Sequence, residues 1–133
     1  MRYLLALVLF VMLPGCVTSQ PVKPSTQQLK GEVHLSGALP HPAMVEIVVL
    51  SVIDGRALPV AAIQYEVAML PLIFDLRLTP LQLAKGDIYI RTRLYFLGNS
   101  VVQAASQQKV FKDFNDRLIV IKLQPKNCYP QCH

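Results

Sequence analysis

Ile88-Tyr89-Ile90-Arg91-Thr92-Arg93-Leu94-Tyr95-Phe96 is the stretch whose reading decides the fold. Ile88, Ile90, Thr92, Leu94 and Phe96 share one parity, and Tyr89, Arg91, Arg93 and Tyr95 share the other. A period of two fits a strand with one face in a core and one in water, because successive side chains of a strand point to opposite sides. On its C-terminal side, Leu97-Gly98-Asn99-Ser100 reads as a hairpin turn, with Gly98 and Asn99 able to take positive φ, and Val101–Ala105 returns as a short strand. On its N-terminal side, Leu81–Asp87 reads as a loop closed by Gly86-Asp87. Before that loop, Leu72–Leu78 sets Leu72, Phe74, Leu76 and Leu78 inward against Ile73, Asp75 and Arg77, between Pro71 and Pro80.

Working further outward, Val60–Val67 alternates in the same way, with Ala61, Ile63, Tyr65 and Val67 on one face and Gln64 and Glu66 on the other. Met44–Ile53 is rich in β-branched residues and apolar on both parities apart from Glu46 and Ser51, which suits a central strand covered on most of both faces. Asp54-Gly55-Arg56 is its turn. Glu32–Ser36 is a first strand ending at Gly37, and Leu39-Pro40-His41-Pro42 breaks it, since proline cannot donate to a ladder. Beyond the hairpin, Ser106–Asp116 is polar and leaves room for a strand around Lys109–Phe111, and Leu118–Leu123 is the last strand. Seven or eight short, mostly antiparallel strands without a long amphipathic helix predict an all-β fold, a single β-sandwich.

The N-terminus follows another pattern. Met1-Arg2 is a short basic start, and Tyr3–Leu13 is an uncharged apolar run of eleven residues, as in a secretory signal peptide. As a helix this run is about 16 Å long, against roughly 30 Å of bilayer hydrocarbon, so it is too short to span. Leu13-Pro14-Gly15-Cys16 then resembles the lipobox of bacterial lipoprotein precursors, with Pro14 where that box has Ala, Ser or Thr. The resemblance implies that Cys16 carries a diacylglyceryl group and becomes the first residue after cleavage, and that Val17 sends the protein to the outer membrane. Val17–Leu29 is polar, contains Pro21 and Pro24, and reads as a flexible linker. The expected organisation is a signal peptide over 1–15, a lipidated N-terminus and linker over 16–29, the sandwich over 30–124, and a disulfide-closed tail over 125–133.

Composition narrows the chemistry. Removing residues 1–15 from 133 leaves 118, enough for one core. The formal charge of +5 comes from scattered Lys and Arg with no run of three, which argues against a nucleic-acid footprint. Catalysis needs a nucleophile, a base within reach and an orienting group. His34 lies on an outward parity, His41 sits between prolines, and Asp75 and Glu66 also point outward, so no catalytic residue, metal or cofactor is expected. Cys128 and Cys132, four residues apart after the last strand, are expected to form a local disulfide once Cys16 is spent on lipid. A metal centre on Cys128, Cys132 and His133 would lack a fourth ligand.

The runs Gly31–Leu35, Ala38–Ala43, Val45–Leu50, Ala61–Ile63, Pro71–Phe74 and Gly86–Arg91 with the Gly98 hairpin, taken together over residues 30–123, resemble the lipoprotein family of YbaY-like domains. Within it, the short chain and lipobox resemble the YscW-type pilotins of type III secretion systems. That resemblance implies a β-sandwich lipoprotein without catalytic residues, lipid-anchored in the outer membrane and facing the periplasm. It also implies a protein partner, the C-terminal segment of a secretin subunit, carried along the lipoprotein sorting pathway to promote ring assembly. An escort of this kind needs an anchor, a tether and a surface that grips. For that surface the candidates are apolar side chains on parities that a two-layer core does not bury, Met44, Val48, Leu50 and Val52, and the Tyr89 and Tyr95 pair flanked by Arg91 and Arg93. Two other readings share the sandwich: a general envelope or stress lipoprotein without a secretin partner, and a periplasmic carrier of small apolar ligands. The carrier needs a hollow core, whereas Phe74, Leu76, Ile90, Leu94 and Phe96 suggest a filled one.

Overall fold

The computed structural model describes residues 26–83, 85–110 and 117–133. The signal peptide, Cys16 and the first part of the expected linker lie outside the described residues, as does Phe111–Asp116. The elements in chain order are β1 (Gln27–His34), β2 (Ala43–Ile53), β3 (Arg56–Val67), β4 (Leu72–Leu78), α1 (Pro80–Leu83), β5 (Asp87–Phe96), β6 (Val102–Val110), β7 (Leu118–Lys122) and β8 (Gln124–Pro125). They build two sheets, β4-β1-β7 and β3-β2-β5-β6-β8. Every pairing is antiparallel except that of β1 with β7. The fold is the all-β sandwich that the alternating pattern dictates. Among the described residues, no helix is long and apolar enough to cross a membrane.

The core lies between the two inner faces. Leu29 and Val33 of β1, Phe74 and Leu78 of β4, and Ile121 of β7 pack as one cluster with Val45, Ile47 and Val49 of β2 and Ile88, Ile90 and Leu94 of β5. Phe74 is among the largest fully buried side chains, and removing such a ring from water contributes about 2–3 kcal/mol. Its position depends on Gly31, which pairs with Phe74 on one side and with Ile119 on the other. A Cβ at Gly31 would run into the Phe74 ring and lie 2.6 Å from the Ile119 carbonyl oxygen. The glycine is therefore the hollow that receives the aromatic ring.

Several local features differ from the sequence expectations. β1 starts at Gln27, inside the stretch assigned to the linker, because it is the middle strand of its sheet and Leu29 is 1% exposed in the core. The loop before β5 contains one helical turn, α1, held by a capping box: the Gln82 N–H donates to Thr79 Oγ1 (3.3 Å) and the Thr79 N–H donates to Gln82 Oε1 (2.7 Å). Gln82 Nε2 also donates to the Val60 carbonyl at 3.0 Å, tying the turn to β3. β6 runs through the polar stretch to Val110, since a strand on a half-solvated sheet tolerates Gln107 and Lys109 on its outer face. In the hairpin after β5, Gly98 takes positive φ while Asn99 does not. Pro59 sits within β3, an edge strand, beside a register shift at Val49/Leu50.

Replacing Gly31 by Ala is expected to cost about 2 kcal/mol through forced displacement of Phe74, which lowers the melting temperature by roughly 10 °C. A thermal melt followed by circular dichroism checks it.

Candidate partner-binding faces

Two sheets packed face to face leave two outer faces, and these carry the candidate chemistry. On the outer face of the larger sheet, β2 and β5 stand in register as Met44 with Tyr95, Glu46 with Arg93, Val48 with Arg91, Leu50 with Tyr89 and Val52 with Asp87. The two groups read separately from the sequence thus form one continuous surface. Its accessibility is another matter. Val48 and Leu50 are only 5% and 4% exposed, whereas Met44, Val52, Tyr89, Arg91, Arg93 and Tyr95 are half-buried. The exposed part of this face is therefore contributed by aromatic and guanidinium groups more than by the two aliphatic ones.

An ion pair organises its middle. Arg93 Nε donates to Glu46 Oε1 at 3.0 Å and Arg93 Nη2 donates to the same oxygen, a charge-assisted pair on a partly buried sheet surface. Gln64 Nε2 adds a longer contact to the other oxygen at 3.5 Å. The hydrogen bonds from Arg93 hold the Glu46 carboxyl below its ordinary value of 4.5, against the opposing effect of burial, and the nearby Arg91 charge acts in the same direction. The Arg93 guanidinium also lies 5.8 Å from the centre of the Tyr95 ring, within cation–π range.

The outer face of the smaller sheet is more apolar at its surface. Ile73 of β4 is 70% exposed, and Leu118 and Val120 of β7 are 54% and 46% exposed. Glu32 pairs with Ile73 on one side and Val120 on the other, so the aliphatic side chains flank β1 in one row. Leu118 lies two residues from Val120 and opposite Lys30. Around them stand Lys30, Arg77, Arg117 and Lys122, all exposed. The sequence reading set Ile73 outward but gave this face no role. The signal was present in Leu118-Ile119-Val120-Ile121, where one parity enters the core and the other must remain outside.

The histidines and the tail complete the inventory. His34 Nε2 lies 3.0 Å from Glu32 Oε2, and the His41 ring meets Phe96 edge-on with centroids 5.3 Å apart. Cys128 and Cys132 are joined by a disulfide, with Cα atoms 4.9 Å apart. Gln103 of β6, which sequence reasoning passed over, is 0% exposed and grips that ring. Its Nε2 donates to the Cys132 carbonyl at 3.0 Å, and its Oε1 accepts the Cys132 N–H at 3.3 Å. Tyr129 packs on Phe96, and burial pushes its phenol pKa up. The tail is thereby fixed against the end of the larger sheet.

What the strands build is an all-β sandwich of two sheets. Residues 24–123 match the family model described as type III secretion system lipoprotein chaperone (YscW), and the chain belongs to that family. It is 33% identical over 132 residues to a type 3 secretion system pilotin of Yersinia enterocolitica, covering 99% of this chain and 95% of that one. A type 3 secretion system pilotin of Pseudomonas aeruginosa is 31% identical over 127 residues, covering 95% and 90%. Among solved structures, an alternative pilotin from the type II secretion system of Vibrio cholerae shares the fold with a TM-score of 0.59 at 19% identity, over 74% of this chain and 96% of that one.

The Glu46 carboxyl has its pKa lowered on folding, so its contribution to stability is present above the unfolded value of 4.5 and is lost as pH falls through the lower folded value. Glu46→Gln is therefore expected to reduce stability at pH 7 by about 1 kcal/mol and to flatten the acid limb of the stability curve below that value. Urea unfolding of both proteins between pH 7 and pH 3 measures both effects.

Proposed function

We propose that the protein is a type III secretion pilotin that binds the C-terminal segment of a secretin subunit and escorts it to the outer membrane, where the ring assembles. The observation that carries this reading is family membership over residues 24–123, together with the pilotins similar to this chain over nearly its whole length. It acts by holding, and no chemical step is needed. A secretin subunit exposes apolar membrane-inserting surface before its ring closes, so an escort must cover that surface and be held to the envelope itself.

Cys16 is the proposed anchor, a lipidated first residue fastened by more than one acyl chain, which passes the threshold for stable attachment that a single chain does not reach. The residues between Cys16 and β1 then act as the tether. A random coil of about ten residues spans roughly 15–20 Å on average, a length that would let the sandwich stand clear of the headgroups. The protein in this reading is an outer-membrane lipoprotein facing the periplasm, delivered by the lipoprotein sorting pathway with its cargo attached.

Cys16→Ser in cells is the test. Secretin rings are expected to be absent or displaced from the outer membrane, while the full-length chain still co-purifies with the secretin C-terminal segment. Normal rings in the mutant, or failure of the native protein to capture the segment, would contradict the reading.

A further inference from the structure

Resting on the escort reading, we infer that the partner segment docks on the outer face of the smaller sheet, across β4, β1 and β7, and that it is amphipathic and acidic. Three features meet there.

First, the apolar surface is genuinely open. Ile73, Leu118 and Val120 are 70%, 54% and 46% exposed, and they sit on neighbouring rows of one three-stranded sheet. Ile73 and Val120 flank β1, which puts them roughly 10 Å apart, and Leu118 lies about 7 Å along the strand from Val120. This spacing suits a single apolar stripe of a segment lying across the strands. On the other outer face, Val48 and Leu50 are only 5% and 4% exposed, leaving less apolar surface to gain.

Second, the rim has a surplus of positive charge. Lys30, Arg77, Arg117 and Lys122 are exposed, and among the described residues none of them forms an ion pair within 4.0 Å. The carboxylates on this face are engaged: Asp75 accepts from Gln28 Nε2 at 2.6 Å, and Glu32 lies 3.0 Å from His34. On the larger sheet, Arg93 is matched by Glu46 and Lys109 lies 3.7 Å from Asp87, while Arg91 is the cation of that outer face that forms no ion pair among the described residues. Four exposed cations, unpaired among the described residues, around three aliphatic side chains select a segment with apolar residues on one stripe and carboxylates beside them.

Third, β7 lies between two depressions. One, of about 270 Å³, is lined by Gln28, Lys30, Arg117 and Leu118. The other, of about 470 Å³, includes His34, Val120, Lys122 and Leu123. Each depression combines one of the exposed aliphatic residues of β7 with cations of the rim, so a partner side chain entering either one meets both chemistries.

The test is a binding titration of the full-length lipidated protein in detergent against the C-terminal segment of the cognate type III secretin. Val120→Asp, Ile73→Ser and the double reversal Lys30→Glu/Lys122→Glu are each expected to weaken binding by about tenfold or more, while Tyr95→Ala and Arg91→Ala stay within about twofold. Added salt should weaken the native complex and have little effect on what binding the reversal variant retains. The altered positions are exposed, so thermal melts of the variants should stay near native, and a binding loss then reports the surface. Native-strength binding by the aspartate and serine variants, or loss confined to Tyr95→Ala and Arg91→Ala, would overturn the placement and leave the escort reading intact. No binding by the native protein would overturn the escort reading, and this placement with it. A Cys16→Ser chain that binds phosphatidylglycerol vesicles through the same residues, with secretin binding unaffected by their substitution, would also overturn it and assign the face to the membrane.

Discussion

A two-layer sandwich buries one face of each sheet, and each outer face must then meet water with whatever side chains its strands supply. That constraint explains most of what is distinctive here. On the larger sheet, β2 lies between β3 and β5 and is apolar on both parities: Arg91 and Tyr89 stand opposite Val48 and Leu50, and the Glu46–Arg93 pair holds a guanidinium on the same face. On the smaller sheet the middle strand is polar on its outer side, and its neighbours carry the aliphatic residues. Ile73, Leu118 and Val120 stay largely exposed there. Covering three such side chains offers on the order of 5 kcal/mol before the cost of ordering a partner. That magnitude makes binding worthwhile and reversible.

The smaller sheet is also where the fold is most exacting. Gly31 gives up its side chain so that Phe74 can lie over β1, and the same strand pairs antiparallel with β4 and parallel with β7. The far end of the larger sheet is secured differently, by the buried Gln103 amide reading both backbone groups of Cys132 and by the disulfide to Cys128. The cysteine-closed tail thus acts as a clamp on β6.

The strands of strict alternation were legible from residues alone: β4 matches its expected bounds, and β5 matches within one residue with its inward set intact, because a period of two leaves a single choice of face. The start of β1 was not, since Gln27 and Gln28 are polar and belong to a strand only because β4 and β7 flank them. α1 was missed although Thr79-Pro80-Leu81-Gln82 carries the capping-box spacing with proline at the first helical position. The candidate surface was half legible. Parity placed Met44, Val48, Leu50, Val52, Tyr89, Arg91, Arg93 and Tyr95 on outward positions, and register then joined them into one face. Parity could not tell that Val48 and Leu50 are buried, because burial of an outward side chain depends on tertiary packing. Leu118 and Val120 were passed over as part of an apolar run, although alternation alone sends them outward.

Family membership supplies the kind of partner, and the sheet faces supply the place and the chemistry for it. The two meet in the claim that an acidic amphipathic segment lies over β4, β1 and β7. Backbone hydrogen exchange of the full-length protein, with and without the secretin C-terminal segment, tests this most directly. The account predicts slowed exchange in residues 72–78 and 118–122, with β2 and β5 unchanged. Slowed exchange confined to β2, β3 and β5, with β4 and β7 as in the free protein, would contradict it.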